Sequence, residues 1–181
     1  MSRLAVVCGG SRGIGAAVSR LLAQRGCRVA VLSRNEDASR AAVAALPGDH
    51  HVAFSCDVSK EQEVQRTFES IRRTCGHVSY LVNAAGINRD ALLLRSRPED
   101  MLALLHTNLL GCMLTCRAAL RDMLHMQEAA IVNIGTHLMS AMSCLCWPLG
   151  GRREQDFTVL EHFKPSNSNV HQDFFCLFTS A

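Results

Sequence analysis

Net charge, long apolar runs and tyrosine are all scarce in this chain. A formal charge of +3 over 181 residues is too small to argue for nucleic acid or a membrane surface as partner. No run approaches the roughly 20 apolar residues of a membrane span. No secretory signal is apparent. The first residues hold Arg3 and little else basic, so no cleavable mitochondrial presequence is expected. Tyr80 is the sole tyrosine, which leaves one candidate for any chemistry that needs a phenolic proton donor.

Cysteine is plentiful, at nine. Cys8 and Cys56 fall in predicted buried strands, where a free thiol behaves as a small hydrophobe. Cys112-x3-Cys116 falls on a predicted helix, and Cys144-x-Cys146 has no matching second pair. Neither a metal site nor a disulfide framework is expected, and a reducing compartment fits. The length gives room for one domain with a real core.

Strand and helix signals alternate along the first three quarters of the chain. Strands are predicted over Leu4–Cys8, Arg28–Ser33, His51–Cys56, Val78–Val82 and Ala130–Gly135. Between them lie a helix starting near Gly13, an alanine-rich helix over Glu36–Leu46, and a helix opened by a Ser59/Gln62 capping box. A short helix from Pro98 and a longer one over about Thr107–Met126 follow. The longer helix carries an apolar face of Leu110, Met113, Leu114, Arg117 and Leu120. Alternating βα units imply an α/β, Rossmann-type doubly wound parallel sheet with right-handed crossovers.

The junction Cys8-Gly-Gly-Ser-Arg-Gly-Ile-Gly15 joins an apolar strand to an amphipathic helix. Bare N–H groups at a helix start hold phosphate, provided no side chain blocks the approach. Gly9 is expected to turn the chain out of the strand, Gly13 to admit the phosphate, and Gly15 to let the helix press on the sheet. Ile14, Ala17, Val18, Leu21 and Leu22 fall on one predicted helical face, and Gly26 ends the helix.

In such folds the residue after the second strand selects the cofactor: a carboxylate binds the ribose 2′-OH of NAD, an arginine the 2′-phosphate of NADP. Here the sequence reads Ser33-Arg34, and Arg12 lies within reach in the glycine loop. Two guanidiniums without a carboxylate predict NADPH. Asp57 and Val58, after the third strand, are candidates for the adenine end. Asp57 serves equally well as a helix-start residue.

Gly9–Gly15, Cys56-Asp-Val58, Asn83-Ala-Ala-Gly86 and Asn108, in this order, resemble the short-chain dehydrogenase/reductase family over about residues 1–135. The resemblance implies a sheet of order 3-2-1-4-5 within an NADP-binding domain. Gly9, Ser11, Arg12, Gly13, Ile14 and Gly15 would line the pyrophosphate and 2′-phosphate, with Arg34 at the latter. Asp57 and Val58 would lie at the adenine, and Asn83, Ala84, Ala85 and Gly86 along the ribose. Asn108 would hold a relay water through its carbonyl, and Thr136 would position the substrate oxygen. Within the family the likeness is to NADPH-dependent ketone reductases of 3-oxoacyl thioesters or quinones, acting in mitochondrial fatty-acid synthesis, in the matrix, with partner subunits in a homo- or hetero-tetramer.

The family's chemistry also requires Tyr-x3-Lys. Where it should fall, the chain reads Pro148-Leu-Gly-Gly-Arg-Arg153, and Lys164 has no tyrosine before it. Residues 136–181 show no sustained period and read as a divergent, poorly ordered tail lacking the usual sixth and seventh strands. That leaves two expectations: a reductase whose proton donor is elsewhere, or a chain that binds nucleotide or a partner subunit without turnover.

Overall fold

A computed structural model describes residues 3–89, 92–124, 126, 129–135, 158–160 and 175–180. Its element order is β1 (Leu4–Cys8), α1 (Gly13–Gln24), β2 (Arg28–Ser33), α2 (Glu36–Ala44), β3 (Val52–Ser55), α3 (Glu61–Cys75), β4 (Val78–Asn83), α4 (Pro98–Leu104), a π-helical turn (Leu105–Leu110), α5 (Gly111–Met123), β5 (Ala130–Gly135), β6 (Thr158–Leu160) and β7 (Phe175–Ser180). The sheet runs β3-β2-β1-β4-β5-β7-β6, and its first five strands are parallel. The predicted 3-2-1-4-5 order is therefore present.

Burial follows from that order. Central β1 is buried at every residue, as a strand covered on both faces must be. Val6, Cys8 and Leu32 pack with α3 and α5 on one side; Val7, Val29 and Val31 pack with α1 and α2 on the other. The predicted α3 stripe is present, with Val64, Phe68 and Ile71 buried and Cys75 packed against the cluster.

Two helix faces differ from expectation. On α1 the buried residues are Gly15, Ser19 and Ala23, while Ile14 and Leu21 are exposed. The helix approaches the loop and sheet along its small residues, and Ser19 satisfies its buried hydroxyl on the Gly15 carbonyl at 2.9 Å. On α5 the buried set is Gly111, Leu114, Thr115, Cys116, Ala119, Asp122 and Met123, whereas Leu110 and Met113 are exposed. The buried residues recur at plain helical spacing within α5, but their face includes Gly111, Thr115 and Asp122, which a count of apolar residues passes over.

Polar groups on the α5 face are paired. Asp122 accepts from Arg72 Nε at 2.7 Å and lies 3.5 Å from His77 Nδ1. Its other oxygen accepts from Val78 N–H at 3.3 Å, joining α3, β4 and α5. The continuous helical run Pro98–Met123 is long and apolar enough to cross a membrane by length and composition alone. Its α5 half instead packs against β4 and α3.

The sheet does not stop at β5. β7 pairs antiparallel with it, from Ala130↔Ser180 to Gly135↔Phe175, and β6 pairs antiparallel with β7. The sequence reading expects no strand beyond β5, and residues 158–160 and 175–180 correct it. Both pairings are antiparallel, unlike those among the first five strands. Pairing satisfies the row of β5 N–H and C=O groups that an edge exposes.

Candidate functional site

A cleft of about 520 Å³ opens where the chain leaves β1, β2, β3 and β4. This is the switch point of the sheet, where connections from β1 and β4 depart in opposite directions and leave a crevice. The loop after β1 contributes Gly9, Ser11, Arg12, Gly13, Ile14 and Gly15; that after β2, Ser33, Arg34 and Asn35. The turn after β3 adds Cys56, Asp57 and Val58, and the loop after β4 adds Ala84, Ala85, Gly86 and Ile87. Residues far apart in the chain thus meet on one concave surface.

The start of α1 differs from the other helix starts at the cleft. Its N-cap, Arg12, is extended and makes no side-chain cap, and its first turn carries no acid. By contrast α2 is capped by Asn35, whose Oδ1 accepts from Ala38 N–H at 2.9 Å, and has Glu36 and Asp37 in its first turn. With neither carboxylate nor cap, the positive end of the α1 dipole faces the cleft, suited to an anion. Close backbone approach enforces the glycines. A Cβ on Gly9 would lie 2.6 Å from Ala85 N, and one on Gly15 would lie 2.2 Å from Gly9 O. Gly15 therefore presses on the loop itself, rather than on the sheet as expected.

Arg12 and Arg34 both line the cleft. Glu36, the first acid past β2, is engaged with Arg40 at 2.5 Å and does not line it. Asp57 does line it, and its Oδ1 accepts from Ser59 N–H at 3.1 Å and Ser59 Oγ at 2.7 Å. The Asp57 N–H donates to Glu63 Oε2 at 2.9 Å. The bond from Lys60 foremost, and then this N–H, hold the Glu63 carboxyl below its ordinary value. The helix-start role foreseen for Asp57 is thus visible in its bonds. The predicted Ser59/Gln62 capping box is replaced by Asp57 and Glu63, with α3 beginning at Glu61.

Asn83 stands behind the cleft wall. Its Nδ2 donates to Asn133 Oδ1 at 2.9 Å, and its Oδ1 accepts from Thr115 Oγ1 at 2.8 Å. Asn108 lies in the π-helical turn. Its Oδ1 accepts from Ile87 N–H at 2.8 Å and its Nδ2 donates to Ile87 O at 2.9 Å. The side chain clamps the loop that carries Ala84–Gly86, instead of bending its own helix or meeting solvent. Thr136, His137, residues 148–153 and Lys164 lie outside the described residues. Tyr80 pairs in register with Ala5 and Ala130. Its hydroxyl accepts from Arg3 Nη1 at 2.5 Å, and the Arg3 guanidinium sits 5.8 Å from its ring centre. Among the described residues no group of three or more His, Cys, Asp or Glu is placed to hold a metal.

Cys56 is buried beside the cleft, and desolvation pushes its thiol up to about 11. The thiolate is the nucleophile, so iodoacetamide at pH 7.5 should leave the Cys56 peptide unlabelled in the native protein and label it in urea. Native labelling of Cys56 would contradict this geometry. Sequence reasoning missed Asn35, Ala38, Ile87 and Thr107 as cleft residues. Asn35 had a readable signal, an asparagine directly before an acidic helix start.

The short chain dehydrogenase family pattern matches residues 3–143. Over 136 residues the chain is 67% identical to carbonyl reductase family member 4 of Danio rerio. It is 56% identical over 136 residues to the 3-oxoacyl-[acyl-carrier-protein] reductase of Homo sapiens. Each alignment covers 75% of this chain and 57% of the relative, so the chain spans little over half their length. A solved actinorhodin polyketide ketoreductase with NADPH superposes with a TM-score of 0.64 at 29% identity, over 67% of this chain and 47% of that one. By its family pattern, its parallel strand order and its glycine-lined cleft, the chain belongs to the short-chain dehydrogenase family.

Proposed function

We propose that the chain is the NADPH-binding part of a ketone reductase for 3-oxoacyl thioesters or quinones, and that these 181 residues alone hold the nucleotide without efficient turnover. The observation that carries this reading is the cleft itself. It has an uncapped helix start, two guanidiniums and no competing carboxylate at the second strand, in a sequence without Tyr-x3-Lys. Backbone at Gly9–Gly15 receives the pyrophosphate, Arg12 and Arg34 the 2′-phosphate, and Asp57 and Val58 the adenine. Ala84–Gly86 follow the ribose, backed by Asn83 and clamped by Asn108.

NADPH supplies a hydride when bound. This chain's contribution is to orient: the Thr136 hydroxyl positions the carbonyl oxygen, and the Asn108 carbonyl holds a water. Within these 181 residues no Tyr-x3-Lys pair is present to supply the proton. Identity to two named reductases supports a second reading, in which the chain is active; His137, beside Thr136, is then the acid to mutate. The mitochondrial matrix and a tetramer partner subunit belong to the same proposal and rest on likeness to the relatives.

Thermal-shift titration tests the cofactor. A ligand at a hundredfold excess over its Kd stabilises the native state by about 2.7 kcal/mol, which raises Tm by roughly 5–10 °C at this size. NADPH should give that shift and NADH a smaller one. Arg34→Ala should cost about tenfold in NADPH affinity and leave NADH unchanged. No shift with either nucleotide would remove the proposal.

A further inference from the structure

Ser39, on α2, is fully buried and does not line the cleft, yet its hydroxyl belongs to a closed set of bonds at the cleft's edge. Its Oγ lies 2.7 Å from Ser33 Oγ and 3.2 Å from the Asn35 carbonyl oxygen. The same carbonyl accepts from Ser33 Oγ at 2.8 Å and from Ser39 N–H at 3.1 Å. Each hydroxyl has one proton and two lone pairs. One hydroxyl therefore donates to the other, and the second donates to the Asn35 carbonyl; either order closes the loop. On the opposite side, Ser55 Oγ donates to the Arg34 carbonyl at 3.3 Å. The two peptide units that follow Arg34 thus accept from side chains, Ser55 on one and the Ser33–Ser39 pair on the next, while the Ser33 carbonyl before it accepts from Cys56 N–H at 2.9 Å.

We propose that Ser39, acting with Ser33, is a positioning residue that sets the selectivity of the cleft for a nucleotide carrying a 2′-phosphate. The turn at residues 33–35 fixes the direction in which the Arg34 side chain leaves the backbone. An arginine aimed by a rigid turn loses less freedom on pairing with phosphate than one on a loose turn. A burial role alone would be met by alanine, which needs no partner, whereas a buried hydroxyl costs free energy unless bonded. A 2′-OH in place of the phosphate makes no demand on Arg34, so binding of NADH is insensitive to the brace. The inference rests on the NADPH reading above.

The test compares dissociation constants for NADPH and NADH in the full 181-residue chain, by nucleotide fluorescence, for wild type, Ser39→Ala, Ser33→Ala and the double variant. Wild type prefers NADPH. Ser39→Ala lowers the NADPH/NADH preference about tenfold, almost wholly through weaker NADPH binding. Ser33→Ala does the same, Ser33→Thr retains the preference, and the double variant loses no more than either single one, because both cut one set of bonds. A folded Ser39→Ala protein with unchanged preference, or equal losses for both nucleotides, overturns the inference alone. Additive losses in the double variant also overturn it. Should Ser39→Ala not fold, the half-buried Ser33 position carries the same comparison. A wild type without preference overturns the cofactor reading, and this inference with it.

Discussion

Assayed as these 181 residues, the chain should oxidise NADPH with an acetoacetyl thioester about 10²–10⁴-fold more slowly than the human 3-oxoacyl-[acyl-carrier-protein] reductase, the range attributed to a positioned proton donor. The argument is one of place. A phenol in water has a pKa near ~10 and needs an adjacent cation to act at neutral pH. The only phenol here does have a cation beside it, Arg3. But Tyr80 sits toward the start of β4, in register with Ala5 and Ala130, whereas the cleft opens beyond the strand ends, at Gly9 and Ala84. Tyr80→Phe should therefore leave both NADPH binding and any residual rate unchanged. NADPH binding seen by thermal shift, with the rate loss, separates a defect in chemistry from a defect in folding. Turnover comparable to the full-length relative would refute the assignment and make His137→Ala the next variant to measure.

The parallel half of the fold was legible because its signals agree across levels. β1, β2 and β5 occupy the spans that their apolar runs predict, and the glycine loop locates the crevice. Twelve of the thirteen proposed cofactor residues line that crevice; the exception, Asn83, is spent on Thr115 and Asn133 behind it. What was not legible depends on phase and on small residues. Periodicity assigns a large apolar residue such as Ile14 or Leu21 to the core. α1 instead buries Gly15, Ser19 and Ala23, the first two against the glycine loop and the third against the strand valines. On α5 an apolar count points Met113 inward and passes over Thr115 and Asp122, whose polar groups are buried because Asn83, Arg72 and the Val78 N–H pair with them. The Asp57 N–H bond to Glu63 and the Ser59 bonds to the Asp57 carboxylate are masked by a more conspicuous Ser59/Gln62 pattern that lies between those two acids in the sequence. The pairing of β7 with β5 is non-local: it depends on an available edge, a property of the assembled sheet that no window of sequence contains.

The second large effect is expected at Gly9→Ala. Gly9 has φ +77, which costs an L-residue with a side chain about 1 kcal/mol. Conformation is the lesser part. The added methyl would meet Ala85 N at 2.6 Å and Ala84 O at 2.7 Å, both main-chain atoms of the opposite cleft wall, and neither can swing aside as a flexible side chain does. Nor can Gly9 itself retreat. Its N–H is bonded to Leu32 O at 2.8 Å, and its carbonyl oxygen already occupies the space beside Gly15. Something in the packed backbone must move, so the expected loss is about 3 kcal/mol in all, or a fall in Tm of roughly 6–12 °C. The NADPH-induced shift should vanish with it, because the displaced segment forms one side of the crevice. Gly26→Ala supplies the control. That glycine has a similar φ of +81, but its added methyl meets nothing within 4 Å. Only the conformational cost of about 1 kcal/mol should appear there, with the NADPH shift retained. Equal effects at the two positions would mean that backbone conformation, and not the contact between the two walls, requires glycine after β1.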